Sequence, residues 1–163
     1  PKSLRLPNYL ISFRVKNLFQ LTTTSIFISR SIMEIFIDTG IFCAIANSKD
    51  AKNEEVKYAL AALAEKENIF YTSDYVLDET YTLIRSRVNH SAAAKFMEEF
   101  KASGINVKRI SEEIEELAKK IFIKYKDQEF SFTDCTSFSI IETHKIKGVL
   151  LIKISSIIDT RML

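Results

Sequence analysis

MEIFID, residues 33–38, is the stretch on which the interpretation of the fold depends. Ile35, Phe36 and Ile37 stand together without polar alternation, which is typical of a strand covered on both faces. Strands of that kind occur in parallel sheets, where a crossover segment, usually a helix, connects one strand to the next. The run ends at Asp38. The stretch therefore predicts the first strand of an α/β domain, with an acid where the strand ends.

Downstream of this strand, helical and strand-like patterns alternate along the chain. Helical periodicity and capping residues predict helices over residues 52–68, 74–88, 91–103, 111–127 and 131–146. Short apolar runs predict strands at residues 69–72, 105–110 and 149–154, the last after a break at Gly148. This order predicts a three-layer α/β/α domain with a central, mainly parallel sheet of four to five strands and right-handed crossovers.

Residues 1–32 differ in composition from the rest of the chain. They carry five basic residues and no acid, whereas the remainder has 18 basic and 21 acidic residues. We interpret residues 1–32 as a basic extension outside the core, and residues 33–163 as one domain. The extension is either a targeting peptide or, the interpretation we favour, sequence upstream of a natural start at Met33.

Composition excludes several classes of protein. The net charge of +2 gives no strong sign of a nucleic-acid or membrane partner. The sequence contains no run of 18 apolar residues, so it predicts no membrane-spanning helix. Cys43 and Cys135 form no CxxC pair and no zinc pattern with His90 or His144. We expect two reduced core thiols in a cytoplasmic protein.

Two aspartates are candidate site residues because of where they stand. Asp38 follows a strand, and ligand sites of open α/β sheets form beyond the carboxyl ends of the strands. A turn or helix-capping role fits Asp38 equally well. Asp134 lies in an apolar arc of a helix that is apolar nearly all round, where an ionised carboxylate is costly unless it is paired or binds a metal. Its spacing from Ser131 also fits a capping box.

A third acid is less certain from geometry alone. Glu79 lies at one edge of the apolar face of the helix predicted at 74–88, and Asp78 lies at the opposite edge. Either side chain fits a solvated position. Arg85 and Arg87 come directly after them, as candidates for phosphate contact or as solvated residues at the helix end.

Other catalytic arrangements find little support. The chain has three glycines and no Gly-rich phosphate loop. No Ser-His-Asp or Cys-His order stands out. A phosphatase or phosphotransfer domain with Asp38 as nucleophile would be expected to carry a second Asp two residues later, where Gly40 stands.

Three segments resemble the PIN-domain family and, within it, the VapC-like toxins. They are FIDTGIFCA at 36–44, LDETYTLIRSR at 77–87 and FSFTDCTSFSIIE at 130–142. Their order and spacing match the family over most of residues 33–148. The resemblance implies that the catalytic and metal-binding residues are Asp38, Glu79 and Asp134, with Thr39 and Thr133 nearby. It selects Glu79 over Asp78.

The resemblance also implies an activity and partners. They are metal-dependent cleavage of RNA with Mg²⁺ or Mn²⁺, a homodimer, and an antitoxin that inserts into the active site. Carboxylate oxygens are the ligand type that these hard cations prefer. After Leu150 the chain departs from the family pattern, because Lys153 stands where a fourth acid is usual. The main alternative to a ribonuclease is therefore a degenerate PIN-fold protein that binds antitoxin or RNA without cutting it.

Overall fold

The computed structural model describes residues 32–151, so the expectations for residues 1–31 and for Lys153 lie outside the described part. Within that part, four strands alternate with six helices. In chain order these are β1 (Glu34–Ile37), α1 (Thr39–Ala46), α2 (Asn53–Ala64), β2 (Ile69–Ser73), α3 (Asp74–Arg87), α4 (His90–Lys101), β3 (Asn106–Lys108), α5 (Glu112–Lys124), α6 (Phe132–Thr143) and β4 (Gly148–Leu150).

The four strands form one parallel sheet in the order β3-β2-β1-β4. β1 lies inside it and pairs with β2 through Ile35 and Phe70, and with β4 through Phe36 and Val149. The chain steps outward from β1 to β3 and then crosses back to β4. The helices pack in two groups, α1–α4 and α5 with α6, as expected when right-handed crossovers place helices on both faces of a parallel sheet. The predicted three-layer α/β fold with a parallel sheet is confirmed.

The core forms where the apolar runs predict it. Ile35, Phe36 and Ile37 are at most 2% exposed, because helices cover both faces of β1. On one side of the sheet, α1 packs on α2, α3 and α4. Phe42 contacts Phe96 and Phe100 there, with ring centroids 5.5 and 5.8 Å apart. On the other side α5 packs on α6, whose residues Cys135–Ile141 are all buried.

The structure corrects the sequence analysis at two places. No helix was predicted for residues 39–46, where α1 follows directly on β1. Gly148 does not break the chain ahead of a strand, because it is the first residue of β4. A Cβ atom at Gly148 would lie 3.0 Å from Ile35 Cγ1, so glycine permits the close approach of β4 to β1. Among the helices of residues 32–151, none is both long and apolar enough to cross a membrane.

Candidate active site

Asp38 lies at the carboxyl end of β1, at the edge of the sheet where parallel strands expose a ligand site. Its backbone amide donates a hydrogen bond to the Leu150 carbonyl oxygen at 3.0 Å, which ties this end of β1 to β4. Asp38 is also the N-cap residue of α1, yet its side chain makes no capping hydrogen bond. Instead the Ser137 hydroxyl of α6 donates to Asp38 Oδ1 at 3.4 Å.

Glu79 reaches the same region from the second turn of α3. That helix starts at Ser73, whose side chain accepts a hydrogen bond from the Val76 amide at 3.1 Å. Thr39, the residue after Asp38, donates its hydroxyl to Glu79 Oε2 at 2.6 Å. Thr39 is completely buried, so this bond is shielded from water. This bond holds Glu79 against Thr39, the residue that follows Asp38 in the sequence.

Asp78 differs from its neighbour in environment. It is exposed, whereas Glu79 is partly buried. The structure therefore separates two acids that the helical pattern alone left equivalent.

Asp134 is the third residue of α6 and forms the capping box that the spacing allows. Its Oδ2 accepts from the Ser131 amide at 2.8 Å, and its own amide donates to Ser131 Oγ at 3.0 Å. The negative charge of Asp134 also acts on Asp38 and Glu79, whose pKa values it raises. The capping-box interpretation of Asp134 is therefore confirmed, and its role as a metal ligand stays a prediction that its effect on the other two acids supports.

Burial and neighbouring carboxylates make Asp38 and Glu79 harder to ionise. Burial raises the pKa of Asp38 to about 7, helped by the charges of Asp134 and Glu79. The Thr39 backbone amide and the Ser137 hydroxyl act in the opposite direction without cancelling this effect. Burial likewise raises the pKa of Glu79, and the Asp134 charge adds to the shift. Together the three acids form a site of concentrated, partly shielded negative charge.

The oxygen ligands of these residues suit a divalent cation, but the described residues do not form a complete coordination site. Carboxylates and hydroxyls are hard oxygen ligands of the kind that Mg²⁺ and Mn²⁺ take. A bound cation would relieve the repulsion that raises the pKa of Asp38. Over residues 32–151, however, no three His, Cys, Asp or Glu side chains lie close enough together to enclose one ion.

The remaining predicted site residues lie in different surroundings. Thr133 is partly buried at the start of α6, and its carbonyl oxygen accepts from the Thr136 hydroxyl at 2.8 Å. Arg85 and Arg87 are both exposed on the last turn of α3. The charge of Arg87 lowers the pKa of Glu79, which places this arginine nearer to the acids in electrostatic terms.

The two cysteines form no disulfide with each other and both are buried, as the sequence predicts. Burial raises the pKa of the Cys43 thiol to about 12, so this thiol stays protonated at neutral pH.

A cleft of about 580 Å³ opens beside the acids. It lies between the first turns of α3, the end of β3 and the start of α6. Its lining residues are Asp74, Tyr75, Leu77, Asp78, Glu79, Tyr81, Val107, Arg109 and Thr133. The cleft thus shares Glu79 and Thr133 with the candidate site.

Sequence reasoning missed Ser137 and the cleft residues Tyr75 and Arg109. A small polar residue inside a helix buried all round was the available signal for Ser137. Arg109 follows β3, so the rule that sites lie at the ends of parallel strands pointed to it as well. Tyr75 carried no comparable signal, because a tyrosine in the first turn of a helix is common.

Comparison with known proteins assigns the family. A family model of the PIN domain matches residues 35–154. The chain belongs to the PIN-domain family. Two curated relatives, both the 23S rRNA-specific endonuclease VapC20 of Mycobacterium tuberculosis strains, are 31% identical over 114 residues. That alignment covers 70% of this chain and 85% of the relative.

Solved structures agree with this assignment. The crystal structure of M. tuberculosis VapC20, described as a Sarcin-Ricin loop cleaving toxin, matches with a TM-score of 0.67 and 29% identity, covering 73% of this chain and 89% of that one. VapBC2 from Rickettsia felis, bound to a DNA fragment from its promoter, matches with a TM-score of 0.57, covering 76% and 90%. At 15% identity the second likeness concerns the fold alone. The family resemblance of the sequence is confirmed. The alternative of an unrelated phosphatase or phosphotransfer domain is therefore set aside.

Proposed function

We propose that this protein is an endoribonuclease that hydrolyses RNA phosphodiester bonds with Mg²⁺ or Mn²⁺, as the toxin of a VapBC-type toxin–antitoxin pair. One observation carries the proposal. Asp38, Glu79 and Asp134 belong to three separate parts of the chain, yet the charges of Asp134 and Glu79 both act on Asp38, and the charge of Asp134 also acts on Glu79. PIN-domain nucleases generally use divalent metal ions, and carboxylate oxygens are the ligand type that Mg²⁺ and Mn²⁺ prefer.

The described residues support a division of roles. Asp38 and Asp134 would hold the cation, and Glu79 would complete or orient its ligand shell. When bound, a divalent cation neutralises charge on the phosphate and activates water. The chain's own hydroxyls fix the acids: Thr39 orients Glu79, and Ser137 orients Asp38. Groups that orient metal ligands in this way commonly contribute ten- to a hundredfold, by order of magnitude, to affinity or activity.

The partners follow from the family. The 23S rRNA named for VapC20 is the first substrate to test, because this relative covers most of the chain. We also propose a protein antitoxin that enters the site, a homodimer, and a cytoplasmic location. Arg85 and Arg87 stay candidates for phosphate contact, with Arg87 favoured by its effect on Glu79.

The decisive experiment compares full-length variants on RNA. Purified ribosomal RNA is incubated with Mn²⁺ and the parent protein, Asp38→Asn or Asp127→Asn. Asp127 is an exposed acid in the turn after α5 and serves as the matched control. We expect discrete cleavage by the parent and by Asp127→Asn, and none by Asp38→Asn. Equal cleavage by the parent and Asp38→Asn would overturn the proposal.

The same assay separates a nuclease from a degenerate relative. A parent protein that binds RNA but cuts none of it, with either metal, would favour the binding-only alternative. Lys153 is the sequence feature behind that alternative, since an acid is usual there. Lys153→Asp is expected to raise the affinity for Mn²⁺ measured by titration calorimetry, and an unchanged affinity would remove Lys153 from the argument.

A further inference from the structure

The cleft beside the acids combines three features that suit one nucleotide. Its volume of about 580 Å³ falls within the range of roughly 300–1,000 Å³ that is common for ligand sites. Tyr75 and Val107 give it aromatic and apolar surface, and Val107 is 37% exposed. Arg109 is the only basic residue among those that line it.

The Tyr75 ring is held in place from below. It packs against Phe132 with ring centroids 6.4 Å apart, and Phe132 packs against Phe122 at 6.1 Å. Tyr75 itself is partly exposed towards the cleft. A supported aromatic ring that lines a cleft can serve as a stacking platform for a base, whichever base it is.

An ion pair positions Arg109 but leaves most of its side chain exposed. Its Nη1 lies 3.5 Å from Asp74 Oδ2, while the arginine side chain is 82% exposed. Asp74 Oδ1 meanwhile accepts from the Ile110 amide at 3.1 Å, which fixes the loop after β3 against α3. An exposed pair of this kind is weak and exchanges readily for a phosphate, with which arginine forms paired hydrogen bonds.

The cleft reaches the acids, because Glu79 is one of its lining residues and Thr133, next to Asp134 in the sequence, is another. From this arrangement we infer that the cleft is a nucleotide subsite of the RNA substrate, next to the bond that is cut. Tyr75 stacks on the base and Arg109 binds the adjoining phosphate. The inference rests on the proposed ribonuclease function and adds to it the residues that seat the substrate.

The acids in the cleft narrow the choice of ligand further. Asp74, Asp78 and Glu79 line it together with the single cation. Such a lining disfavours a ligand that brings several phosphates into the cleft, as a nucleoside triphosphate would. The cleft instead accommodates a single nucleotide of an RNA strand, with the neighbouring phosphates outside the cleft.

Binding to a fluorescein-labelled single-stranded RNA, measured by anisotropy in the full-length Asp38→Asn background, tests the subsite without relying on cleavage. Tyr75→Ala is expected to weaken binding about tenfold, since stacking of one base contributes ~1–3 kcal/mol. Tyr75→Phe keeps the ring and is expected to bind within about twofold of its parent. Tyr58→Ala, which removes a 79% exposed tyrosine of α2 outside the cleft, is the matched control.

Arg109→Ala gives an independent arm, because an exposed side chain tolerates truncation. It is expected to weaken binding several-fold and to lower the slope of log affinity against log salt by about 0.7–1, the loss of one phosphate contact. Lys126→Ala, an exposed lysine beyond α5, should leave both values unchanged.

Two outcomes would overturn the subsite. One is RNA affinity in Tyr75→Ala and Arg109→Ala equal to that of the Tyr58→Ala and Lys126→Ala controls. The other is no RNA binding by the Asp38→Asn parent. Failure of the proposed function looks different, because it appears as cleavage that survives Asp38→Asn. In the active protein, a subsite defect should raise KM more than it lowers kcat.

Discussion

Two groups of carboxylates in this molecule titrate in opposite directions from their ordinary values. On the exposed face of α5, Lys119 Nζ lies 2.9 Å from Glu115 and 2.8 Å from Glu116, and the pKa of Glu116 is lowered by that lysine. At the end of β1, burial and neighbouring carboxylates raise the pKa of Asp38 to about 7. The number of acids in a group is therefore a poor guide to its function, because their surroundings determine how readily they ionise.

The difference lies in what balances the charge. On α5 a lysine on the next turn and bulk water do so. At the sheet end, the groups acting against the pKa rise of Asp38 are a backbone amide and a hydroxyl, neither of which carries a net charge. Where the described residues do not neutralise the negative charge of a site, binding of a cation from solution is most favourable.

The largest effect is expected from Asp38→Asn. Removing a group that stabilises charge at a reaction centre costs on the order of 10²–10³-fold in rate, so RNA cleavage should fall by about that factor or more. Glu116→Gln, the matching change on α5, should leave the rate at the parent value. Rates are measured on one RNA with saturating Mn²⁺. Comparable losses in both variants would mean that the two groups of acids do not differ in function.

Thr39→Val should have the next largest effect. It keeps the shape of a buried side chain and removes the donor 2.6 Å from Glu79. We expect cleavage to fall about tenfold, as for other groups that orient metal ligands. Thr39→Ser, which keeps the hydroxyl, should restore most of the rate, and Thr82→Val on the exposed side of α3 is the control. A fully active Thr39→Val protein would show that this bond does not orient Glu79 for the reaction.

The pH dependence of stability should follow from Asp38. Its pKa is about 7 in the folded chain and 3.8 as an isolated group, so the folded state holds the proton more tightly. The contribution of Asp38 to the free energy of unfolding should therefore fall as the pH rises from about 4 to about 7, by roughly 1–2 kcal/mol once partial exposure is allowed for. Asp38→Asn should flatten this profile in thermal melts at fixed ionic strength.

Addition of Mn²⁺ should restore the stability lost at high pH, since the cation binds the ionised folded form. The rise in Tm should be larger at pH 8 than at pH 5, and absent in Asp38→Asn. A stability difference between the parent and Asp38→Asn that does not fall between pH 4 and pH 7 without metal would contradict the raised pKa of Asp38.

The smallest effect is expected on α5 itself. Lys119→Ala removes the partner of both glutamates, yet these side chains are solvated and screened. The Tm should stay within about 2 °C of the parent value and the cleavage rate should not change. A larger shift in either quantity would mean that this surface takes part in something beyond solvation.

Much of this arrangement is predictable from sequence, because its signals are local. The uninterrupted apolar run of β1 predicts a buried parallel strand, and Asp38 directly after it marks the edge where ligands bind. Ser131 and Asp134 predict their capping box from spacing alone. Each of these inferences depends only on residues within a few positions of one another.

What sequence reasoning missed depends on packing between distant segments. α1 has only eight residues, and six of them, Thr39–Ala44, are buried, so it shows no polar face from which to recognise a helix. The helical pattern alone left Asp78 and Glu79 equivalent, because the bond that distinguishes Glu79 comes from Thr39, forty residues away. Gly148 looked like a chain break because its role, contact with Ile35 on a neighbouring strand, is visible only in the sheet.

The capping box at Asp134 has a consequence for genetics. One carboxylate oxygen of this residue holds the Ser131 amide, so its replacement damages the first turn of α6 as well as the chemistry. Replacement of Asp38 by asparagine relieves repulsion and leaves every helix start intact. A screen for inactive yet abundant protein should therefore recover changes at position 38 often and changes at position 134 seldom.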